Sequence, residues 1–548
     1  MRNTGEPEKR RQNGWKAAMV VLLCTQLLLV LYYGGKKEGF HEDEYYSYYS
    51  TNRTTGLFEP DREWVDRDTF RNEFVVLPGE GFQYGLVALS QSWDVHPPFF
   101  YFLLHTACSF FPGVFSKWLG IGVNLAAFLV NFFLLAWLAY MVTDKNKLLT
   151  FLVSAVNGFN AVMISGVLFI RMYEWLTLFV LLCACLHVRA IKKGDIRFRS
   201  FLLPLMAVNF LGFLTQYYYL IFLFFMAAGF FVYRLFCDRK LKNAFVYAFC
   251  CGISILLGVI SYPASLSHIF RGYRGTGAVS EFLNAANTGD RIRFFTGLMN
   301  EYVFDGFLWL WLLLAAGMAV FLVILQKRKK TEGQAEMEKQ EEAETRQTAP
   351  YILLLFASCG YFFTVSKTAL LLYETSNRYE LPIYGIILLL VITALYTLGE
   401  RLLSCFHCSL RVRTVFLLLL IFVFFFDDVH GLVQGKVLFL YEGEKERTEY
   451  ARENAKLPVV ILYNDTTPYH VWWCSNELME YDRVYFANEN NQEKFTDEVL
   501  CSGEKLIVYA ADGEAKEKSL QLLLNSNPHL NGSRLVSKKD LWSVYELQ

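Results

Sequence analysis

The sequence predicts a polytopic α-helical membrane protein that ends in a small α/β domain. Three observations carry this. Of 548 residues, 54% are hydrophobic and 17% aromatic, and the mean hydropathy is +0.27. A soluble chain averages roughly 45–50% apolar residues and about 25% charged ones, against 19% charged here. The excess is concentrated in long uncharged runs such as 118–142 and 148–170, each long enough to cross a bilayer that needs about 20 helical residues. The alternation of apolar and polar segments also changes character near residue 457, where short strand-like runs replace long helical ones.

Residues 1–16 carry Lys9, Arg10 and Arg11 and form a basic, cytoplasmic N-terminus. The apolar run that follows has no small-residue cleavage site after it, only Gly34-Gly35-Lys36-Lys37, and so reads as a retained anchor. Lysine and arginine near span ends resist translocation. Basic stretches at 192–199, 238–242, 327–330 and 401–413 therefore mark cytoplasmic loops. Threading the apolar runs through these anchors gives about eleven spans: 17–33, 118–142, 148–170, 172–188, 201–216, 217–233, 244–262, 306–325, 351–366, 381–398 and 412–428. The spanning domain thus covers 17–430, with a charged cytoplasmic linker of Lys, Glu and Gln at 327–347.

One apolar run, 97–112, does not fit as a span. It reaches only about 24 Å against a core of about 30 Å, and crossing would turn the basic loop at 192–199 outward. It is expected to lie along or dip into the outer face. Residues 36–117 then form one large external loop, with further external pieces at 263–305, 367–380 and from 428 to the C-terminus. In the tail, 440–548, the apolar runs 458–463, 484–486, 506–509 and 541–547 suit buried strands of a small extracytoplasmic α/β domain.

The twelve cysteines show no paired metal spacing. Cys183, Cys185, Cys250 and Cys251 lie within apolar runs and act as small hydrophobes. Cys474 and Cys501 lie in a polar region, where a disulfide is one option.

Candidate chemistry gathers at the ends of spans expected to face outward. Transporters place functional charges inside spans, whereas the spans here are nearly free of acids, and Glu174 stands close to an outer end. The first cluster is His41-Glu42-Asp43-Glu44-Tyr45-Tyr46-Ser47. Adjacent carboxylates raise one another's pKa, which suits a general base; a solvated loop start is the alternative. The second is Trp93-Asp94-Val95-His96-Pro97-Pro98. Its prolines suit a helix start, and Asp94 is either a capping residue or a site acid. The third, Arg171-Met172-Tyr173-Glu174, and the fourth, Ser376-Asn377-Arg378-Tyr379-Glu380-Leu381-Pro382, each put an arginine at a span end. An arginine there either snorkels to headgroups or grips a phosphate with its planar fork. Thr215-Gln216-Tyr217-Tyr218-Tyr219 sits in another external turn and also suits an aromatic belt.

An acidic pair after the first span, Asp-x-His-Pro-Pro-aromatic, Arg-Met-Tyr in an outer turn and Arg-Tyr-x-x-Pro before a late span together resemble the GT-C superfamily of membrane glycosyltransferases. Bacterial members allied to protein O-mannosyltransferases and lipid A aminoarabinose transferases are the nearest in pattern, over roughly 15–400. The resemblance implies a cell-envelope enzyme that transfers a sugar from a polyprenyl-phosphate donor to an acceptor hydroxyl with inversion. It implies Asp43 as base with Glu44 beside it, and Asp94 as a second acid that orients the acceptor. Arg171 and Arg378 match positions near the donor phosphate, and His96 adds a proton or hydrogen bond to the leaving group. Tyr173, Tyr379 and Gln216 are the associated substrate contacts, although the family often has histidine where Gln216 stands. Glu42, Asp43 and Asp94 are the acids available to a cation, yet no spacing is diagnostic, and neither a metal nor another cofactor is expected. The expected partners are the lipid-linked donor, an unidentified acceptor (lipid, wall polymer or protein) and membrane lipids, with no nucleic acid. The competing reading, a non-catalytic glycolipid transporter or flippase, requires polar groups within the spans and tolerates loss of Asp43. A non-enzymatic scaffold presenting the tail is a third.

Overall fold

The computed structural model describes residues 5–53, 62–194, 196–236, 241–329, 337–530 and 532–548. The basic loop expected at 238–242 and the linker expected at 327–347 fall partly outside them. The chain divides into two compact units. The first comprises Met1–Gly34, Asp94–Phe100 and Ile121–Leu438; the second comprises Gly35–Trp93, Tyr101–Gly120 and Phe439–Gln548.

The first unit is a helical bundle. Among the described residues, ten helices are long and apolar enough to cross a membrane: Asn13–Lys36, Lys117–Val142, Tyr173–Lys193, Phe198–Thr215, Tyr219–Phe236, Leu241–Ser261, Leu308–Leu325, Gln347–Thr368, Tyr373–Cys405 and Leu410–Val433. Lys147–Phe159 and Ala161–Leu168 form an eleventh, broken by a 58° bend. All eleven runs expected from the sequence are therefore helical, and the protein is a multi-pass membrane protein. Phe99–Ser109 is a short apolar helix of about 16 Å, too short for the roughly 30 Å core.

The break has a local cause. Asn160 sits in an extended conformation, with φ −68° and ψ 131°, and its side chain caps the next helix by accepting from the Val162 amide. Asparagine competes for backbone groups in this way and so favours caps over helix interiors. Asn160 Nδ2 also donates to the Val303 carbonyl at 3.0 Å and to Asp428 Oδ1 at 3.1 Å, which holds the bend. Just before it, Gly158 leaves room for the Gln26 carboxamide, which a Cβ there would meet at 2.0 Å. The Tyr173–Lys193 helix ends at Gly194, whose φ of 65° is the left-handed cap that glycine adopts without strain.

The segment between Ser261 and Leu308 is mostly helical: Ala264–Phe270, Tyr273–Leu283 and Thr288–Val303. Two buried cations fix it to the end of the Gln347–Thr368 span. Lys367 Nζ donates to the Asn284 carbonyl at 2.6 Å, to Thr288 Oγ1 at 3.0 Å and to Asn287 Oδ1. Arg291 donates to the carbonyls of Ser366 and Ala369.

The second unit is built on a six-stranded sheet: β1 Trp64–Asp66, β2 Val459–Leu462, β3 Arg483–Ala487, β4 Leu506–Ala511, β5 Ser533–Lys539 and β6 Trp542–Leu547, in the order β1-β3-β2-β4-β6-β5. β2 pairs parallel with both β3 and β4, while β1, β6 and β5 join antiparallel. Every residue of β2 is buried, which is why it reads as a continuous apolar run rather than an alternation. Val460, Leu462, Ala487, Phe495, Leu500, Val508, Leu523 and Leu547 lie in one core cluster. The four strands expected in the tail appear as β2, β3, β4 and β6. Cys474 and Cys501 are free thiols, so the disulfide option is not realised.

Candidate active site

In the first unit, the ends of several helices bring together residues far apart in sequence. Asp94 Oδ2 lies 2.9 Å from His96 Nδ1, and His96 Nε2 lies 3.2 Å from Arg171 Nη2. A guanidinium only donates, so when the ring is neutral Nε2 accepts from Arg171 and the proton sits on Nδ1, facing Asp94. Both ring nitrogens are committed, so in this arrangement His96 aims Arg171.

Arg171 itself is buried, in the turn between Ala161–Leu168 and Tyr173–Lys193. Its amide donates to the Phe169 carbonyl at 2.7 Å, which tightens that turn. Arg378, also buried, opens the Asn377–Cys405 helix. Its guanidinium stands 5.3 Å from the Phe169 ring centre and 5.1 Å from that of Tyr379, and Nη2 donates to the Tyr379 hydroxyl at 3.2 Å. Stacking on aromatic faces suits arginine and keeps its planar fork ordered. Tyr173 stacks on Phe169 at 5.9 Å and meets Tyr379 edge-on at 5.9 Å. Phe169 and Tyr173 thus tie the turn that carries Arg171 to the helix start that carries Arg378.

Gln216 contributes less. It is buried, and its Oε1 accepts from the next amide, Tyr217 N–H, at 2.6 Å. The neighbouring tyrosine has the more informative position: Tyr217 hydroxyl lies 3.0 Å from His268 Nδ1. Burial raises the Tyr217 hydroxyl, and the charges of Tyr262 and Asp94 raise it further; Tyr262 is raised by burial and then by Asp94. The Asp94 charge thus reaches Tyr217, which the sequence placed only in an aromatic belt, and Tyr262, which the sequence did not single out. Their only signal was position at span ends.

Desolvation would raise the Asp94 carboxyl, but the charge and hydrogen bond of His96 and the charge of Arg171 outweigh it and hold it below the usual aspartate range. A depressed folded-state value stabilises the protein above the unfolded-state pKa of about 4 and is lost as pH falls through the folded value. Wild type is therefore expected to lose thermal stability below about pH 4 more steeply than Asp94→Asn. Unfolding midpoints of the two proteins across that range check this.

The second unit holds the acidic cluster. His41 caps the Glu42–Asn52 helix: its Nδ1 accepts from the Asp43 amide at 3.1 Å, while Glu44 Oε2 accepts from the His41 amide at 2.6 Å. This capping box satisfies donors that a helix start leaves open. Glu44 is fully buried and also takes a 2.9 Å ion pair from Lys37, whose Nζ donates in addition to the Phe439 carbonyl at 2.7 Å. Asp43 differs: its side chain is 22% exposed, with His41 Nδ1 3.7 Å from Oδ2. The two acids that stand side by side in sequence thus have separate environments, Glu44 inside a structural pair and Asp43 accessible. Lys37→Met would strand a buried carboxylate, and breaking such a pair costs about 3–5 kcal/mol. Replacing both partners, Lys37→Met with Glu44→Gln, is expected to recover part of that loss in denaturation midpoints.

Among the described residues, no group of three or more His, Cys, Asp or Glu side chains could hold a metal ion.

No family model and no curated protein matches the chain. Solved structures do. The chain is similar to the crystal structure of ArnT from Cupriavidus metallidurans bound to undecaprenyl phosphate, with a TM-score of 0.50 and 10% identity over 96% of this chain and 97% of that one. The apo crystal structure of the same protein gives a TM-score of 0.46 and 12% identity, covering 98% of each chain. At this identity the likeness speaks for the fold: the chain is a polytopic membrane protein with a fold similar to that of ArnT.

Proposed function

We propose that the protein is a membrane glycosyltransferase that moves a sugar from a polyprenyl-phosphate donor to an acceptor hydroxyl at the extracytoplasmic face. The observation that carries this reading is the pair of buried arginines, Arg171 and Arg378, each held in orientation: Arg171 by the Asp94–His96 relay, Arg378 by Phe169 and Tyr379. Two guanidinium groups in an aromatic setting fit an anionic headgroup on a lipid chain. The solved structure of similar fold is itself bound to undecaprenyl phosphate.

In the proposed reaction the acceptor oxygen attacks the anomeric carbon, its proton passes to the Asp43 carboxylate, and the anomeric C–O bond breaks with its electron pair leaving on the phosphate oxygen. Attack opposite the leaving group inverts the anomeric centre. The phosphate gains one negative charge as it leaves, and Arg171 and Arg378 offset it without reorganising at the moment of reaction. Asp94 positions His96 and so the Arg171 fork. Asp43 is assigned the base because it is the accessible acid of its pair, Glu44 being committed to Lys37.

Donor recognition is tested separately from turnover. Undecaprenyl phosphate, measured by native mass spectrometry on the protein in nanodiscs, is expected to remain bound to wild type and to be retained at least tenfold less by Arg171→Met with Arg378→Met, as loss of about 1.4 kcal/mol or more of binding requires. Equal retention would remove the arginines from the donor site.

A further inference from the structure

A second polar site lies inside the helical bundle of the first unit. Gln26, Asn131, Asn157, Glu174 and Thr177 line an internal cavity of about 30 Å³ whose other walls are mainly apolar. Gln26, Asn131 and Glu174 are all buried. The two amides have fixed orientations. Gln26 Nε2 donates to the Ser154 carbonyl at 2.9 Å, and Asn131 Nδ2 donates to Glu174 Oε1 at 2.8 Å and to the Glu174 carbonyl at 3.0 Å. With their NH2 groups engaged, the oxygens are what these residues offer to the cavity. Among the described residues, neither Gln26 Oε1 nor Asn131 Oδ1 has a hydrogen-bond partner. Thr177 Oγ1 donates to the Tyr173 carbonyl at 3.0 Å, which leaves its lone pairs as well. A Cβ at Gly385 would come within 2.8 Å of Asn157 Oδ1, so only glycine keeps that oxygen clear.

The chamber therefore gathers unmet oxygen acceptors around one carboxyl group. Buried acceptors demand a donor or a cation. A proton on Glu174 satisfies at most one of the two amide oxygens. A divalent ion leaves an uncompensated positive charge in an apolar bundle, which is strongly unfavourable. A monovalent ion leaves the site neutral, and carboxylate and amide oxygens are the hard ligands such an ion takes. The chamber, about 30 Å³, has room for a small ion. Ionisable groups within membrane spans mark ion or substrate sites more often than chance packing.

We propose that Glu174, Gln26 and Asn131 bind one small monovalent cation of the sodium class within the bundle. Glu174 lies one turn beyond Arg171, and Pro382 and Gly385 lie on the helix Asn377–Cys405, which carries Arg378 in its first turn. An ion here would brace the two elements that present the arginines. The inference does not depend on the reaction proposed above.

The test is equilibrium binding of ²²Na⁺ to the full chain in nanodiscs, with thermal unfolding in sodium chloride against choline chloride at equal ionic strength. Wild type is expected to retain one ion per chain and to show a midpoint raised by roughly 1–3 °C in sodium, because a ligand that binds only the folded state stabilises it. Glu174→Gln, which keeps the carbonyl that accepts from Asn131, and Gln26→Leu are each expected to lose the ion and the shift while remaining monodisperse. Absence of ²²Na⁺ binding by folded wild type would overturn the proposal, as would equal binding by both variants; the chamber would then hold water beside a neutral Glu174.

Discussion

Asp43→Asn is expected to lower sugar transfer by about 10²–10⁴-fold, the range that a positioned general base supplies, while leaving the fold intact. The reason is specific to its surroundings. The Asp43 amide donates to His41 through the backbone, and the Ser47 hydroxyl bonds to the Asp43 carbonyl. Both contacts are made by the Asp43 backbone, so asparagine preserves them while removing the carboxylate, which stands 3.7 Å from His41 Nδ1 and is the group that takes the proton. Glu44 cannot substitute, because Lys37 and the His41 amide hold its carboxylate. Glu44→Gln should therefore show up first in stability and Asp43→Asn first in turnover. Single-turnover kinetics with circular dichroism on each variant separate the two. An Asp43→Asn protein that turned over at the wild-type rate would move the base elsewhere.

Arg171→Met is expected to lower kcat/KM by about 10²–10³-fold, the loss seen when one preorganised group is removed from a developing negative charge. The variant removes the donor to His96 Nε2 as well as the proposed phosphate contact. Arg171→Lys should recover only part of the activity, since an ammonium restores charge but not the fork that reaches His96 and the phosphate together. Steady-state rates of all three proteins on one donor decide this. A lysine variant equal to wild type would reduce Arg171 to a point charge.

Much of this was legible in the sequence because membranes impose long, uninterrupted apolar runs, and because parallel strands buried on both faces read as short ones. The four motifs that define the candidate residues were also visible, being local. What escaped was set by tertiary contact. The break at Asn160 lies within an apolar run whose scattered polar residues do not single it out, and its bend is held by Val303 and Asp428, far along the chain. β1 is three residues long and gains its place only by pairing with β3. β5 carries Arg534, Lys538 and Lys539 and is largely solvent-facing, so it shows no apolar run. The division of labour between Asp43 and Glu44 required Lys37 to be seen turning back onto the helix it precedes. Tyr217 and His268 stand 51 residues apart and meet only when their helices pack.

The central claim, that the chain consumes a polyprenyl-phosphate sugar, is tested most directly by presenting the purified protein in nanodiscs with a panel of synthetic donors and measuring sugar loss. Wild type is predicted to consume at least one donor, with and without chelator, and Asp43→Asn to consume none at a comparable rate. Donors bound by both proteins and consumed by neither would contradict the account and favour a lipid transporter.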